Sequence, residues 1–185
     1  GVALRGFNTT ISFGLDSTMQ DSPCEFCGSC VQVCPVGALL PKKSIGKGRI
    51  WQVRKVRTTC PYCGVGCQLE LDVRGDQIVR VRGVEGAQPN KGFLCVKGRF
   101  GYDFVYSQDR LTTPLIREGD AFREASWDEA LDLVAHKFKQ IIRESGPDAI
   151  AGVSCARSIN EDSYNMQKLF RAVIGTNNID HCART

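Results

Sequence analysis

The chain has 185 residues, 42% hydrophobic and 24% charged, an ordinary globular composition for one or two domains that argues against disorder. The formal net charge is +4, and Lys and Arg are spread along the chain apart from Lys42, Lys43, Lys47 and Arg49, so the dense basic patch of a nucleic-acid partner is missing. The longest clearly apolar stretch, 149–156, is far short of the about 20 residues a bilayer span needs, and nothing ahead of the first methionine, Met19, reads as a charged-then-apolar leader.

In chain order, the first feature is Cys24-x2-Cys27-x2-Cys30-x3-Cys34-Pro35. This is bacterial ferredoxin spacing, in which three thiolates wrap one [4Fe-4S] cubane and the fourth reaches to a second cluster. The rule leaves a gap, because residues 1–23 hold no cysteine to complete the set. Either Cys34 closes its own cluster, or a second run belongs upstream of Gly1, an expectation favoured by a start that is not Met. Residues 31–40 read as a short helix and turn. The stretch 41–50, PKKSIGKGRI, reads as a linker.

Strand-like alternation is expected at 51–56. The second cysteine ladder follows, Cys60-x2-Cys63-x3-Cys67-x27-Cys95. Within it, Leu69, Leu71 and Val73 alternate with polar residues, Gly75-Asp76 turns the chain, and Ile78 to Val81 return it, which predicts a β-hairpin. Ser126-Trp127-Asp128-Glu129 predicts a helix with a reciprocal capping box, continued by Leu131, Val134, Phe138, Ile141 and Ile142 and stopped at Gly146-Pro147. A strand at 149–154 and a helix at 163–174, closed by Gly175, then begin an α/β layer.

Eight of the ten cysteines belong to the ladders. Disulfides suit an oxidising compartment, which nothing here marks. Zinc is a rival for the second ladder, where four thiolates with a CxxC pair suit a tetrahedral site; the repeated x2 spacing and Cys-Pro of the first make a poor zinc pattern. Cys155 and Cys182 read as small buried hydrophobes. His136 reads as solvated, and His181 reads equally as a pocket residue or a hydrogen-bonded structural one.

The segment from Cys60 to Cys67, with Gly92-Phe93-Leu94-Cys95-Val96-Lys97-Gly98, resembles the N-terminal iron–sulfur domain of the molybdopterin oxidoreductase superfamily. Residues 110–117 resemble the segment leaving that domain. Asn160-Glu161, Tyr164, Met166-Gln167-Lys168 and the run from Arg171 to Arg184 resemble formate dehydrogenase catalytic (alpha) subunits. The implied fold class is α+β grading into α/β: a partial ferredoxin-type module at 1–48, a small β-rich [4Fe-4S] domain at 49–117, and the start of a pterin-binding domain at 118–185.

By the same resemblance, Lys97 couples cubane and pterin, a solvated lysine being the alternative. The loop after the 149–154 strand stands where α/β folds bind nucleotide-like groups. Ser154, Asn160, Glu161 and Asn177 are its implied contacts to a bis-molybdopterin guanine dinucleotide carrying Mo or W, with a polar βα loop as the alternative. The family's metal ligand, selenocysteine or cysteine, follows the position matched by Thr185, so the chain is expected to be a piece ending just before it, inactive alone and with apolar faces lacking partners. The implied whole enzyme is cytoplasmic and interconverts formate and CO2, passing electrons through both ladders to a flavin or NAD(P) subunit, a ferredoxin or a hydrogenase module. An assimilatory nitrate reductase-like molybdoenzyme and a non-catalytic iron–sulfur subunit like that of respiratory complex I are the other readings.

Overall fold

The computed structural model describes residues 2–14 and 18–183, and the chain divides into two compact units. Gly1, Arg184 and Thr185, on which the expectations about the start and the metal-ligand approach fall, lie outside the described residues.

The first unit comprises residues 1–59 and 67–102. Near its start β1 (Val2–Ala3) pairs antiparallel with β2 (Thr10–Ile11). Its centre is an antiparallel sheet ordered β3 (Arg54–Thr59), β4 (Gln68–Arg74), β5 (Gln77–Gly83). The expected hairpin is the β4–β5 pair, turned at Gly75-Asp76, with Leu71 opposite Val81 and a bulge at Asp72/Val73. Leu69, Val79, Val81, Val84 and Leu94 are buried and supply the apolar core.

Asp72 is also buried, at 1% exposure. Its oxygens take Arg80 at 2.7 Å and Arg82 at 3.2 Å, while Glu70 takes Arg82 and Lys55, each at 3.1 Å. A buried carboxylate survives only with such partners. The expected strand at 51–56 starts late: residues 50–52 form a 3-10 turn, with Gln52 Oε1 accepting from the Arg49 backbone NH at 2.9 Å, and the strand begins at Arg54. The linker is anchored, since Lys43 Nζ donates to the Phe100 carbonyl at 2.8 Å and Arg74 donates to the Lys47 carbonyl at 3.1 Å.

The second unit comprises residues 60–66 and 103–185. A hairpin, β6 (Leu115–Glu118) with β7 (Ala121–Glu124), leads to helix α3 (Trp127–Ser145). Ser126 caps α3 by accepting from the Glu129 NH at 3.1 Å. The capping box is not reciprocal, because Arg123 takes the Glu129 carboxylate, with Nη1 at 3.2 Å. Arg123 therefore holds the Glu129 carboxyl below its ordinary range.

Gly146 ends α3 at φ +83°, a backbone region that favours glycine. The next strand is shorter than expected: residues 147–149 form a 3-10 turn and β8 is Gly152–Ser154. The following helix starts earlier than expected, with α4 at Asn160–Lys168 continuing as a π-helical turn, Leu169–Ile174, closed by Gly175 at φ +88°. β9 (Ile179–His181) then pairs parallel to β8, completing a β–α–β unit. Ile150, Phe170 and Ile174 form its buried core, with Phe138, Ile142, Met166 and Ile179 packed against them. Leu131 and Val134, on the expected apolar stripe, are 58% and 48% exposed. Among the described residues no helix is long and apolar enough to cross a membrane.

Candidate metal centre

The first ladder lies in the first unit, around the short helix α1 (Ser29–Val33). Gly28 precedes it at φ +73°, and a Cβ there would stand 2.3 Å from Arg99 Cδ and 2.7 Å from Phe100 Cζ, so only glycine fits. The loop presents donors to sulfur. The Phe26 NH donates to Cys24 Sγ at 3.4 Å, and Cys27 Sγ lies 3.3 Å from Ser29 Oγ. The Ser29 hydroxyl and backbone, reinforced by the Arg99 charge, push the Cys27 thiol down. Backbone NH groups, that of Leu39 foremost, do the same for Cys34. Hydrogen bonds and positive charge favour thiolates, the form that ligates metal.

Arg99 was not singled out in the sequence, yet it is 2% exposed. It sits on α2 (Val96–Phe100), the helix that leaves Cys95. Its Nε donates to the Cys27 carbonyl at 2.8 Å and its Nη1 to Gln32 Oε1 at 2.8 Å. Gln32 in turn clamps Gly83, accepting from its NH at 3.1 Å and donating to its carbonyl at 3.2 Å. One arginine and one glutamine thus join the first ladder's loop to α2 and to the end of β5. Burial lowers the Arg99 guanidinium below its ordinary value, opposed by the negative charge of Cys27 and Cys30 when ionised.

The second ladder is divided between the units: Cys60 and Cys63 belong to the second, Cys67 and Cys95 to the first. In the second unit, Asn160 Nδ2 donates to the Gly64 carbonyl at 2.7 Å, fixing the loop after Cys63. A Cβ on Gly64 would meet Asn160 Oδ1 at 2.7 Å. Tyr62 packs edge-on against Phe104, with ring centroids 6.1 Å apart. In the first unit, Asn90 accepts from the Gln68 NH at 2.7 Å and donates to the Phe93 carbonyl at 2.9 Å, tying the residue after Cys67 to the approach to Cys95. Cys60 is buried and Cys95 exposed. Lys97 is exposed on α2, and its carbonyl accepts from the Gly101 NH at 2.8 Å.

Among the described residues no group of three or more His, Cys, Asp or Glu side chains converges on one point as a single metal ion requires. A cubane asks for something else, since each of four thiolates binds a different iron corner. The first ladder carries features that suit thiolate ligation: donors at Cys24 and Cys27, lowered thiols at Cys27 and Cys34, and an arginine whose buried Nη2 has no partner.

The implied pterin contacts scatter within the second unit. Ser154 ends β8 and borders a cavity of about 350 Å3 together with Cys155, Ser163, Gln167, Arg171 and His181. Asn160, Glu161 and Asn177 do not line it; Asn160 serves Gly64, Glu161 stands in the first turn of α4, and the Asn177 carbonyl accepts from the Ile179 NH at 2.7 Å. Cys155 and Cys182 depart from expectation: neither is buried, and their sulfurs are 3.5 Å apart. The Ala156 NH, then Cys155, push the Cys182 thiol down. Such a pairing across separate loops left no local signal. His136 is exposed as expected.

Comparison with known proteins bears on these sites. Residues 21–40 match the 4Fe-4S binding domain, 53–107 the molybdopterin oxidoreductase Fe4S4 domain, and 110–185 the molybdopterin oxidoreductase domain. The alpha subunit of F420-dependent formate dehydrogenase 2 from Methanococcus maripaludis is 49% identical over 72% of this chain and 19% of its own length. The alpha subunit of NADPH-Fe(3+) oxidoreductase from Geobacter sulfurreducens is 42% identical over 90% of this chain and 19% of its own. The chain thus spans about a fifth of the length of these relatives. Acetylene hydratase from Pelobacter acetylenicus shares the fold over 69% of this chain and 18% of its own, with a TM-score of 0.55 and 24% identity. With iron–sulfur and molybdopterin domain matches in the order that its cysteine ladders imply, the chain belongs to the molybdopterin oxidoreductase family.

Proposed function

We propose that this chain is the electron-relay part of a formate dehydrogenase. Formate gives up two electrons and one proton to become CO2, and the electrons leave through the second ladder and then the first. The supporting observation is the pairing of a ferredoxin-type ladder with a molybdopterin iron–sulfur ladder in a sequence 49% identical to a formate dehydrogenase alpha subunit. The organisation we assign is a ferredoxin-type module at 1–48, an iron–sulfur domain at 49–117 and the start of the pterin domain at 118–185.

When bound, a molybdenum or tungsten bis-pterin guanine dinucleotide supplies the two-electron redox chemistry. This chain's residues do the conducting and the holding. Cys60, Cys63, Cys67 and Cys95 would hold one cubane, Lys97 would link it to the pterin, and Cys24, Cys27, Cys30 and Cys34 would serve the outward relay. Asn160 keeps the Cys63 loop in place. Ser154, Glu161 and Asn177 complete the assigned pterin contacts. The electrons pass to a cytoplasmic partner subunit of flavin, ferredoxin or hydrogenase type.

The similarity to the Geobacter subunit extends over 90% of the chain and favours a second reading, a relay in an oxidoreductase that does not act on formate. Formate-dependent viologen reduction by the full-length enzyme, with metal analysis, separates the two. Turnover with bound molybdenum or tungsten and a Lys97→Ala variant at least tenfold slower in kcat is the expected result. A metal-loaded enzyme inert to formate overturns the proposal.

A further inference from the structure

Two buried side-chain nitrogens have no hydrogen-bond partner among the described residues, Arg99 Nη2 and Arg82 Nε. Both arginines line one cavity of about 140 Å3 in the first unit, together with Cys34 and Gln32. Arg82 has its anions, Glu70 and Asp72. Arg99 does not: the Cys27 carbonyl and Gln32 Oε1 are neutral, and no carboxylate among the described residues pairs with it. Guanidinium stays charged in proteins, and native structures rarely leave a buried charged donor unsatisfied. A counter-charge belongs there.

The geometry points to Arg99 as the positioning residue of the first ladder's cluster, donating its free Nη2–H to the sulfur of that anionic group and raising its reduction potential. The inference rests on the iron–sulfur assignment of the first ladder. A fixed positive charge favours the more negative, reduced state, and hydrogen bonds to sulfur act in the same direction. The fork geometry of arginine lets one side chain do this while Nε and Nη1 hold the Cys27 loop and Gln32. Gly28, where any Cβ would meet the Arg99 side chain, keeps that approach open. Because α2 also carries Cys95 as its N-cap residue, the same short helix serves both ladders.

The test is a potentiometric titration followed by electron paramagnetic resonance on the full-length holoenzyme, with the first ladder's signal assigned by its loss in Cys24→Ala. In Arg99→Gln the reduced-to-oxidised ratio of that signal falls about tenfold at fixed poise, a negative shift of about 59 mV for one electron. Arg99→Lys, which keeps the charge, recovers most of it, and the second ladder's signal moves less than either. An unchanged potential in Arg99→Gln overturns the inference while leaving the iron–sulfur assignment intact. A wild-type enzyme whose only cubane is lost on Cys60→Ala overturns both. Should Arg99→Gln fail to assemble the cluster, wild-type enzyme labelled with 15N in its arginine guanidinium decides. A nitrogen coupling on the first ladder's signal supports the contact, and its absence overturns it.

Discussion

Gly83→Ala is the sharpest test of how the fold holds Cys95. A Cβ at Gly83 would lie 2.1 Å from the Gly92 carbonyl oxygen and 2.5 Å from its carbon, where ordinary contact begins near 3.4 Å. The obstacle is backbone, so no rotamer change relieves it; the chain at Gly92 has to retreat by more than an ångström. Gly92 is three residues before Cys95, and the Asn90 bonds that brace this loop to Gln68 move with it. Functional constellations tolerate displacements of about 0.5 Å, so the expected retreat exceeds the tolerance of the thiolate. Overpacking of this kind also costs about 1–3 kcal/mol in stability. Iron and acid-labile sulfide analysis of the holoenzyme should show about four fewer irons per chain, with the second ladder's resonance lost and the first ladder's retained. A Gly83→Ala enzyme with full iron content and unaltered spectra would refute the claim that the β5–Gly92 contact sets the position of Cys95.

The two remaining predictions concern charge. Asp72→Asn leaves Arg80 and Arg82 facing a neutral amide; because both guanidinia reach solvent and Arg82 keeps Glu70, the expected cost is that of lost charge-assisted hydrogen bonds, about 1.5–3 kcal/mol. Hydrogen exchange should report faster opening of the β4–β5 amides, and unchanged protection would count against the ion pair as a stabiliser of the sheet. Glu129→Gln tests the α3 N-terminus. With its folded value depressed by Arg123, the Glu129 carboxylate stabilises fully above the ordinary value near about 4.3 and loses that contribution as pH falls through the folded value. The variant should therefore lose less thermal stability than wild type between neutral pH and the acid range, and parallel acid profiles would contradict the pairing.

Elements with local signals were legible in the sequence. The β4–β5 hairpin announced itself by alternation around Gly75-Asp76, and α3 by Ser126 and Gly146, because turn and cap preferences act within a few residues. The strand β9 gave no such signal: its partner β8 lies 27 residues earlier in register, and three residues are too few to show a period. β7 has all four residues exposed, so no buried face patterned it. The capping box failed in part because the Arg123 that captures Glu129 comes from a neighbouring hairpin, outside the motif.

At the site, the proposed ligands rest on cysteine spacing, which is local in the runs 24–34 and 60–67 but not at Cys95. Arg99, Gln32 and Asn90 were not legible. Arginine is normally solvated, and only contacts across 72 residues to Cys27 and 51 to Gly83 reveal the clamp. The trace available in sequence was a charged residue two positions beyond Lys97, flanked by Gly98 and Phe100.

The helix α2 is five residues long, with Cys95 just before it and Gly101 just after. Each residue of an α-helix turns the chain by about 100°. Cys95, Lys97 and Arg99 therefore point where they do because of a count: inserting one residue between Cys95 and Arg99 would swing the guanidinium roughly a quarter-turn away from Gln32 without altering any side chain's chemistry. The segment is a ruler as much as a sequence, intolerant of any change in length, and grafts or circular permutations of this module should be cut outside residues 95–101.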